Sequence, residues 1–322
     1  MNNRGFVFRP LGETWRAGLA LSLIMICNQA VLAQNSPGAI NSIEKTVEAG
    51  FTCLYGFDFS GADSIRMTLQ KKYPRHPWSY LFAVNYYWWM IISTGNDTSC
   101  RAPFYSSLDS AEKYLKPIAG KRKAAELPDD CLYSYIYLYA YRSRIELLDK
   151  KIFSSVMNAK DCIDFIRASF GKETRYPRFG LTSGIYFYGT GYAKKHYRWL
   201  RPALLVIPAG DTEKGKKFLV QASMSDDVIV FTEGIYFLMK IFYEFEPNLR
   251  AASIYASILC RANPSNLLYR YYYIRILQAL QNSKDAEAQM AVFYSSLQSN
   301  KTLSPEVEKY FTKLYEELKN HK

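Results

Sequence analysis

CLYSYIYLYAYRSRIELL, residues 131–148, is the stretch on which the fold class turns. Tyr133, Tyr135, Tyr137, Tyr139 and Tyr141 alternate as a half-buried strand would, and aromatic residues favour strands. Against that, Leu132, Tyr135, Ile136, Tyr139, Ala140, Ser143 and Leu147 recur at three- and four-residue intervals, the period of one helix face. No turn residue interrupts the run before Asp149, and a strand of that length would be unusual. We therefore read a helix.

Outward from this segment the chain keeps one habit. Apolar stretches of helical length are separated by short breaks rich in Pro, Gly, Asp or Asn. Helices are predicted over 40–56, 60–73, 78–93, 104–118, 130–148, 151–169, 181–199, 211–223, 227–245, 248–262, 266–281, 284–298 and 304–320, falling into six hairpins and a polar terminal cap. The class expected is all-α. Trp78 to Ser93 is the longest apolar stretch after the N-terminal region, broken mainly by Asn85. It is near the lower limit of a membrane span, but it lacks a strong basic flank and also suits a helix buried between neighbours. Val228 to Phe245 carries Glu233, Lys240 and Glu244, which argues further against a span.

Two segments resemble each other at an offset of 190 residues: Ala62 with Ala252, Leu69 with Leu259, Pro74 with Pro264, His76 with Asn266. Each leads into an aromatic-rich helix. Gly50, Ala62 and Pro74 stand at 12-residue intervals, and Tyr236, Tyr243, Ala252 and Pro264 hold the matching aromatic, tyrosine, alanine and proline places. This pattern resembles the tetratricopeptide repeat family, whose unit is a helix-turn-helix of about 34 residues. The resemblance implies an array of antiparallel helix pairs, an α-solenoid. A small residue lets two helices approach while proline ends the second. Lys240 stands where a small residue is usual, so the second copy is degenerate.

At the N-terminus Arg4, Arg9 and Arg16 precede an apolar run from Ala17 to Cys27, then Val31, Leu32 and Ala33. That order of basic, apolar and small residues is the order of a secretory signal, with cleavage expected after Ala33. Ile26 before Cys27 disfavours a lipid-anchoring site. The organisation expected is a signal peptide at 1–33, a helical half at 34–178, an irregular insertion at 179–215 and a second helical half with its cap at 216–322. The chain would be exported: periplasmic, outer-membrane-associated or secreted. Without Arg4, Arg9, Arg16 and Glu13 the formal charge falls from +12 to +10. The basic residues are dispersed, so helix faces in water explain them best. Export argues against nucleic acid, leaving an anionic membrane surface or a glycan as minor contacts. Cys53, Cys100, Cys131, Cys162 and Cys260 show no metal-binding spacing; an oxidising compartment would allow one or two disulfides, and most of the five are expected to be free and buried.

Motifs that carry chemistry are sparse. Gly210 to Lys217 nearly fits a phosphate-binding loop, yet Lys217 replaces the hydroxyl that such a loop needs. Asp211 capping a helix from Thr212 is the plainer reading. Asp129-Asp130 and Asp226-Asp227 precede helices and read as caps, and His76, His196 and Glu233 belong to no recognisable catalytic set. Asn96-Asp97-Thr98 and Asn300-Lys301-Thr302 match the N-glycosylation pattern, which has meaning only in a eukaryotic secretory pathway. We expect no enzyme, no metal and no cofactor. The first helices of successive pairs carry Tyr86, Trp88, Trp89, Tyr139, Arg142, Tyr271, Tyr272 and Arg275, an aromatic and basic groove for a protein or peptide partner. The alternative is a glycan or small-ligand binder, or an enzyme, with its pocket at 179–215.

Overall fold

A computed structural model describes residues 37–197 and 208–320; the expected signal peptide lies outside the described residues. The described chain is all-α. Its thirteen helices are α1 Pro37–Tyr55, α2 Phe59–Lys72, α3 Pro77–Ser93, α4 Arg101–Ala119, α5 Asp129–Leu148, α6 Ile152–Ser169, α7 Pro177–His196, α8 Thr212–Ala222, α9 Val228–Lys240, α10 Leu249–Ala262, α11 Leu267–Ala279, α12 Ser283–Ser299 and α13 Pro305–Lys319. A π turn, Ile241–Phe245, prolongs α9. No strand occurs among the described residues.

The helix starts follow from local chemistry. Side chains of Asp58, His76, Asp211, Asp227, Asn248, Asn266, Asn282 and Ser304 accept from orphan N–H groups of the helices that they precede. Asp211 accepts from Glu213 and Lys214 at 2.9 and 3.0 Å, as capping expects. Asp129 and Asp130 lie in the first turn of α5, behind Pro128, where they suit the helix dipole. The alternating tyrosines of α5 are buried because neighbours surround that helix: Tyr133, Tyr135, Tyr137 and Tyr141 are all buried, as are Leu132, Ile136 and Ala140.

His76 caps α3 by accepting the Trp78 N–H at Nδ1, 3.2 Å. Burial pushes its pKa from 6.5 down to about 4. The unfolded chain therefore takes up a proton that the folded chain refuses between those values. The stability from the neutral imidazole is complete above pH 6.5 and is lost as pH falls towards 4, with a slope approaching ~1.4 kcal/mol per pH unit. His76→Asn, which places there the residue found at 266, is expected to keep the cap and remove that slope. Urea unfolding of both proteins at several pH values checks this; parallel pH profiles would refute it.

Successive helices pack as α1 on α2, α3 on α4, α5 on α6, α7 on α8, α9 on α10 and α11 on α12, and each second helix also meets the helix that follows it. Ala62 and Ala252 are fully buried where the small residues were expected. Gly50 sits so close to the Phe82 ring that a Cβ there would lie 2.4 Å from it. Two contacts are long in sequence: α1 meets α9, and α3 meets α13. Along this seam the Tyr55 hydroxyl donates to Glu233 at 3.1 Å, Asn266 donates to the Tyr55 carbonyl at 2.8 Å, and Phe57 packs on Phe311. Phe57 adopts a left-handed φ of 60°, and its carbonyl accepts from Asn300 and Thr302. The side chains of that glycosylation-like triplet are thus used inside the fold. One continuous core runs from Ile43 to Leu318, and a second is centred on α7, α8 and α9.

The 179–215 stretch differs from the expected irregular insertion. It is helical through His196 and again from Thr212, while 198–207 lie outside the described residues. Several glycines of this stretch are points of close approach. A Cβ at Gly215 would lie 2.4 Å from the Tyr188 backbone nitrogen, and one at Gly210 would lie 2.0 Å from that of Gly191. Gly184 faces Leu219 in the same way. Gly215→Ala is expected to cost about 2 kcal/mol by overpacking, more than the ~1 kcal/mol that alanine gains inside a helix. A thermal melt unchanged or raised would contradict that packing.

All five described cysteines are free. Burial pushes the Cys131 thiol up to about 11 and the Cys260 thiol to about 12, so neither supplies a thiolate near neutral pH.

Candidate functional site

The two related segments superpose their helix bounds at the same offset: α2 on α10 at both ends, and the starts of α3 and α11. Asp58 and Asn248 cap in the same way, each accepting from the N–H three residues on, and His76 and Asn266 both cap, accepting two and three residues on respectively. Against this agreement two departures stand out: Glu233 holds the place of the buried Ile43 and is used by Tyr55, and the second replaces a whole contact. In the first segment Gly50 packs on the Phe82 ring, and Leu54, one helical turn on from Gly50, is fully buried, as is Phe82. At the corresponding places the second copy has Lys240, Glu244 and Tyr272, with the π turn beginning beside Lys240. Charged groups replacing an apolar contact inside a repeat lower stability, so such a place is where function is best sought.

The geometry there is specific. Lys240 is 9% exposed; its ammonium donates to the Glu244 carboxylate and, at 3.2 Å, to the Tyr272 hydroxyl. It also lies 4.5 Å from the centre of the Tyr272 ring. Burial works against its charge, but Glu244 and the hydroxyls of Tyr272 and Tyr236 outweigh it and hold the pKa well above the usual lysine value. Tyr236 packs against Tyr272, and Tyr243 meets the same ring edge-on. Burial raises the Tyr236 pKa, opposed by Lys240 and, from another helix, Arg144. Arg144 of α5 stacks 4.5 Å from the Trp88 ring centre and 5.1 Å from that of Tyr141. Tyr141 in turn donates to Asn85 at 2.9 Å. Four helices, α3, α5, α9 and α11, thus bring together Trp88, Arg144, Tyr236, Lys240, Glu244 and Tyr272. The assembly presents ring faces, one cation paired with a carboxylate and one lying over rings.

The eight residues expected to line a groove divide. Trp88 and Tyr272 belong to the cluster just described. Trp89, the neighbour of Trp88, is 5% exposed and sits among Tyr55, Phe57 and Tyr269 at ring distances of 5.9–6.0 Å. Its side chain fills the seam between α1, α3 and α11 rather than a free surface, which corrects its assignment as a contact residue. Tyr86 is half-buried under the Arg66 guanidinium, and Tyr139 stacks on Phe165. Arg142 is held by Asp109 at 2.8 Å and Glu112 at 3.1 Å. Tyr271 packs against Tyr272, and its hydroxyl pKa is raised to about 12 by burial against the pull of the half-buried Arg275. Tyr243 and Tyr236, read as repeat residues, line the cluster as well. Arg144 and Glu244 were not foreseen; Lys240 was visible only as a breach of the repeat.

The groups considered for catalysis have separate employment. His196 stacks on Tyr192, Asp211 caps α8, and Glu233 accepts the Tyr55 hydroxyl. Among the described residues no group of His, Cys, Asp or Glu is placed to hold a metal ion, and no helix is long and apolar enough to cross a membrane. Compared with known protein families, with curated proteins and with solved structures, the chain matches none.

Proposed function

We propose that the chain is an exported, non-enzymatic scaffold of antiparallel helix pairs resembling tetratricopeptide arrays, and that it binds a protein or peptide partner through the aromatic and basic cluster of α3, α5, α9 and α11. The observation that carries the reading is that cluster: half-buried Trp88, Tyr236 and Tyr272 with Arg144, drawn from four helices that open pairs. Aromatic and arginine side chains that keep some surface accessible are the anchors expected of a binding face. The order of packing and the matched bounds of α2 and α10 support the array. Its first helices begin at 37, 77, 129, 177, 228, 267 and 305, so every unit exceeds the about 34 residues of the family pattern.

A glycan or small-ligand pocket at 179–215 has less support, because α7 and α8 close on each other there backbone against backbone. The test is retention of envelope-extract proteins on the immobilised chain, compared with Trp88→Ala/Tyr272→Ala. The proposal expects a defined partner to be held by the first and released by the second, with both proteins folded. Identical retention by both would sink the assignment of this face.

A further inference from the structure

Arg144 contrasts with the arginines packed between helices that meet a carboxylate, and the buried Arg270, which also lacks one, donates instead to Gln289 and the Pro264 carbonyl. The half-buried Arg66, Arg101 and Arg142 face Asp63, Asp149 and Asp109 at 2.5–2.8 Å, and the buried Arg178 faces Asp227 at 2.5 Å. Arg144 is half-buried too, yet no hydrogen bond or ion pair within the described residues reaches its guanidinium; its contacts are the faces of Trp88 and Tyr141. Ring faces offer a guanidinium no hydrogen-bond acceptor of the carboxylate kind, so its N–H donors stay available to a further group. Five donors in a fixed fork, partly withdrawn from water, match a planar two-oxygen acceptor.

The charges around it define the acceptor further. Lys240 is already neutralised by Glu244, and Glu233 accepts from Tyr55. The cation of this cluster that lacks a carboxylate is therefore Arg144, and a single negative charge balances it. A dianion would meet Glu244 as well, at a cost. We infer that Arg144 anchors a carboxylate-binding site, which takes an acidic side chain or the terminal carboxylate of a bound peptide while Trp88, Tyr236 and Tyr272 take its apolar parts. This rests on the partner-binding reading above and names the chemistry that the partner must present.

The full chain, immobilised, is offered N-acetylated hexapeptide mixtures whose random positions exclude acidic residues. One mixture has a fixed Asp or Glu and an amidated end, one a fixed Asn and a free carboxylate end, one a fixed Asn and an amidated end, and one a fixed phosphoserine and an amidated end. At least one carboxylate mixture should be retained about ten- to a hundredfold above the neutral one, the range for a charge-assisted hydrogen-bonded pair, and which one it is separates side-chain from terminal recognition. Arg144→Gln should abolish the difference, and Arg144→Lys, which keeps charge and packing but loses the fork, should retain part of it. Equal retention of neutral and carboxylate mixtures, released by Trp88→Ala, overturns the carboxylate site and leaves the binding face standing. Preference for phosphoserine, or retention unchanged in a folded Arg144→Gln, also overturns it. Retention of no mixture overturns both.

Discussion

Trp89→Ala is expected to lower the unfolding free energy by about 3–5 kcal/mol, the range for removing a large aromatic from a core. The ring is 5% exposed and touches Tyr55 and Phe57 from the first pair and Tyr269 from α11, so its loss opens a cavity where α1, α3 and α11 meet. Neighbouring groups cannot readily collapse into that space, because Tyr55 is tied to Glu233 and Asn266 is tied to the Tyr55 carbonyl. Trp88→Ala removes a ring of the same size from a half-buried place and is expected to cost about 1 kcal/mol, as for a side chain that solvent reaches in both states. Urea unfolding of the two variants side by side measures the contrast. Hydrogen exchange should show the Trp89 variant opening first in α1 and α11. Equal destabilisation by the two substitutions would mean that the seam between α1, α3 and α11 does not hold the fold together.

That contrast also marks how far the sequence could be read. The helices were legible because periodicity and capping are local: the three- and four-residue spacing from Leu132 to Leu147, and the caps at Asp211 and Asp227, need no knowledge of distant neighbours. Ala62 and Ala252 could be matched because close helix approach demands a small residue at a fixed place. The side of a helix that faces inward once α1 meets α9 and α3 meets α13 is a different matter. It depends on how helices distant in sequence pack, which no single residue encodes, so Trp88 and Trp89 look alike in sequence although one is half-open and the other sealed. The glycines of 179–215 are ambiguous in sequence for a related reason. Glycine serves turns and close packing alike, and only the partner backbone at Tyr188 and Gly191 distinguishes the two uses. Arg144 passed for an ordinary solvated charge, whereas Lys240 was exposed as unusual by its counterpart, Gly50.

The same counterpart allows a test whose outcome changes sign. Lys240→Met removes one member of a buried pair and strands the Glu244 carboxylate beside Tyr272, and the expected cost is about 3 kcal/mol. The full range reaches higher for such losses, but Glu244 keeps about a quarter of its side chain accessible, 28%, so water relieves part of the stranded charge. Lys240→Met/Glu244→Leu removes both charges and restores at 244 the leucine found at 54. Replacing an ion pair by apolar groups of similar volume is often neutral or stabilising by about 1–4 kcal/mol, so the double variant is expected to melt at or above the parent. The single variant should melt well below it. Tyr272 loses its cation in both, which leaves the stranded carboxylate as the difference between them. If the double variant were as unstable as the single one, Lys240 would be holding α9 through Tyr272 rather than through Glu244. If instead it is stable but retains less of the partner, the chain keeps its charged pair for recognition at a cost in stability, as the change from Gly50 and Leu54 to Lys240 and Glu244 suggests.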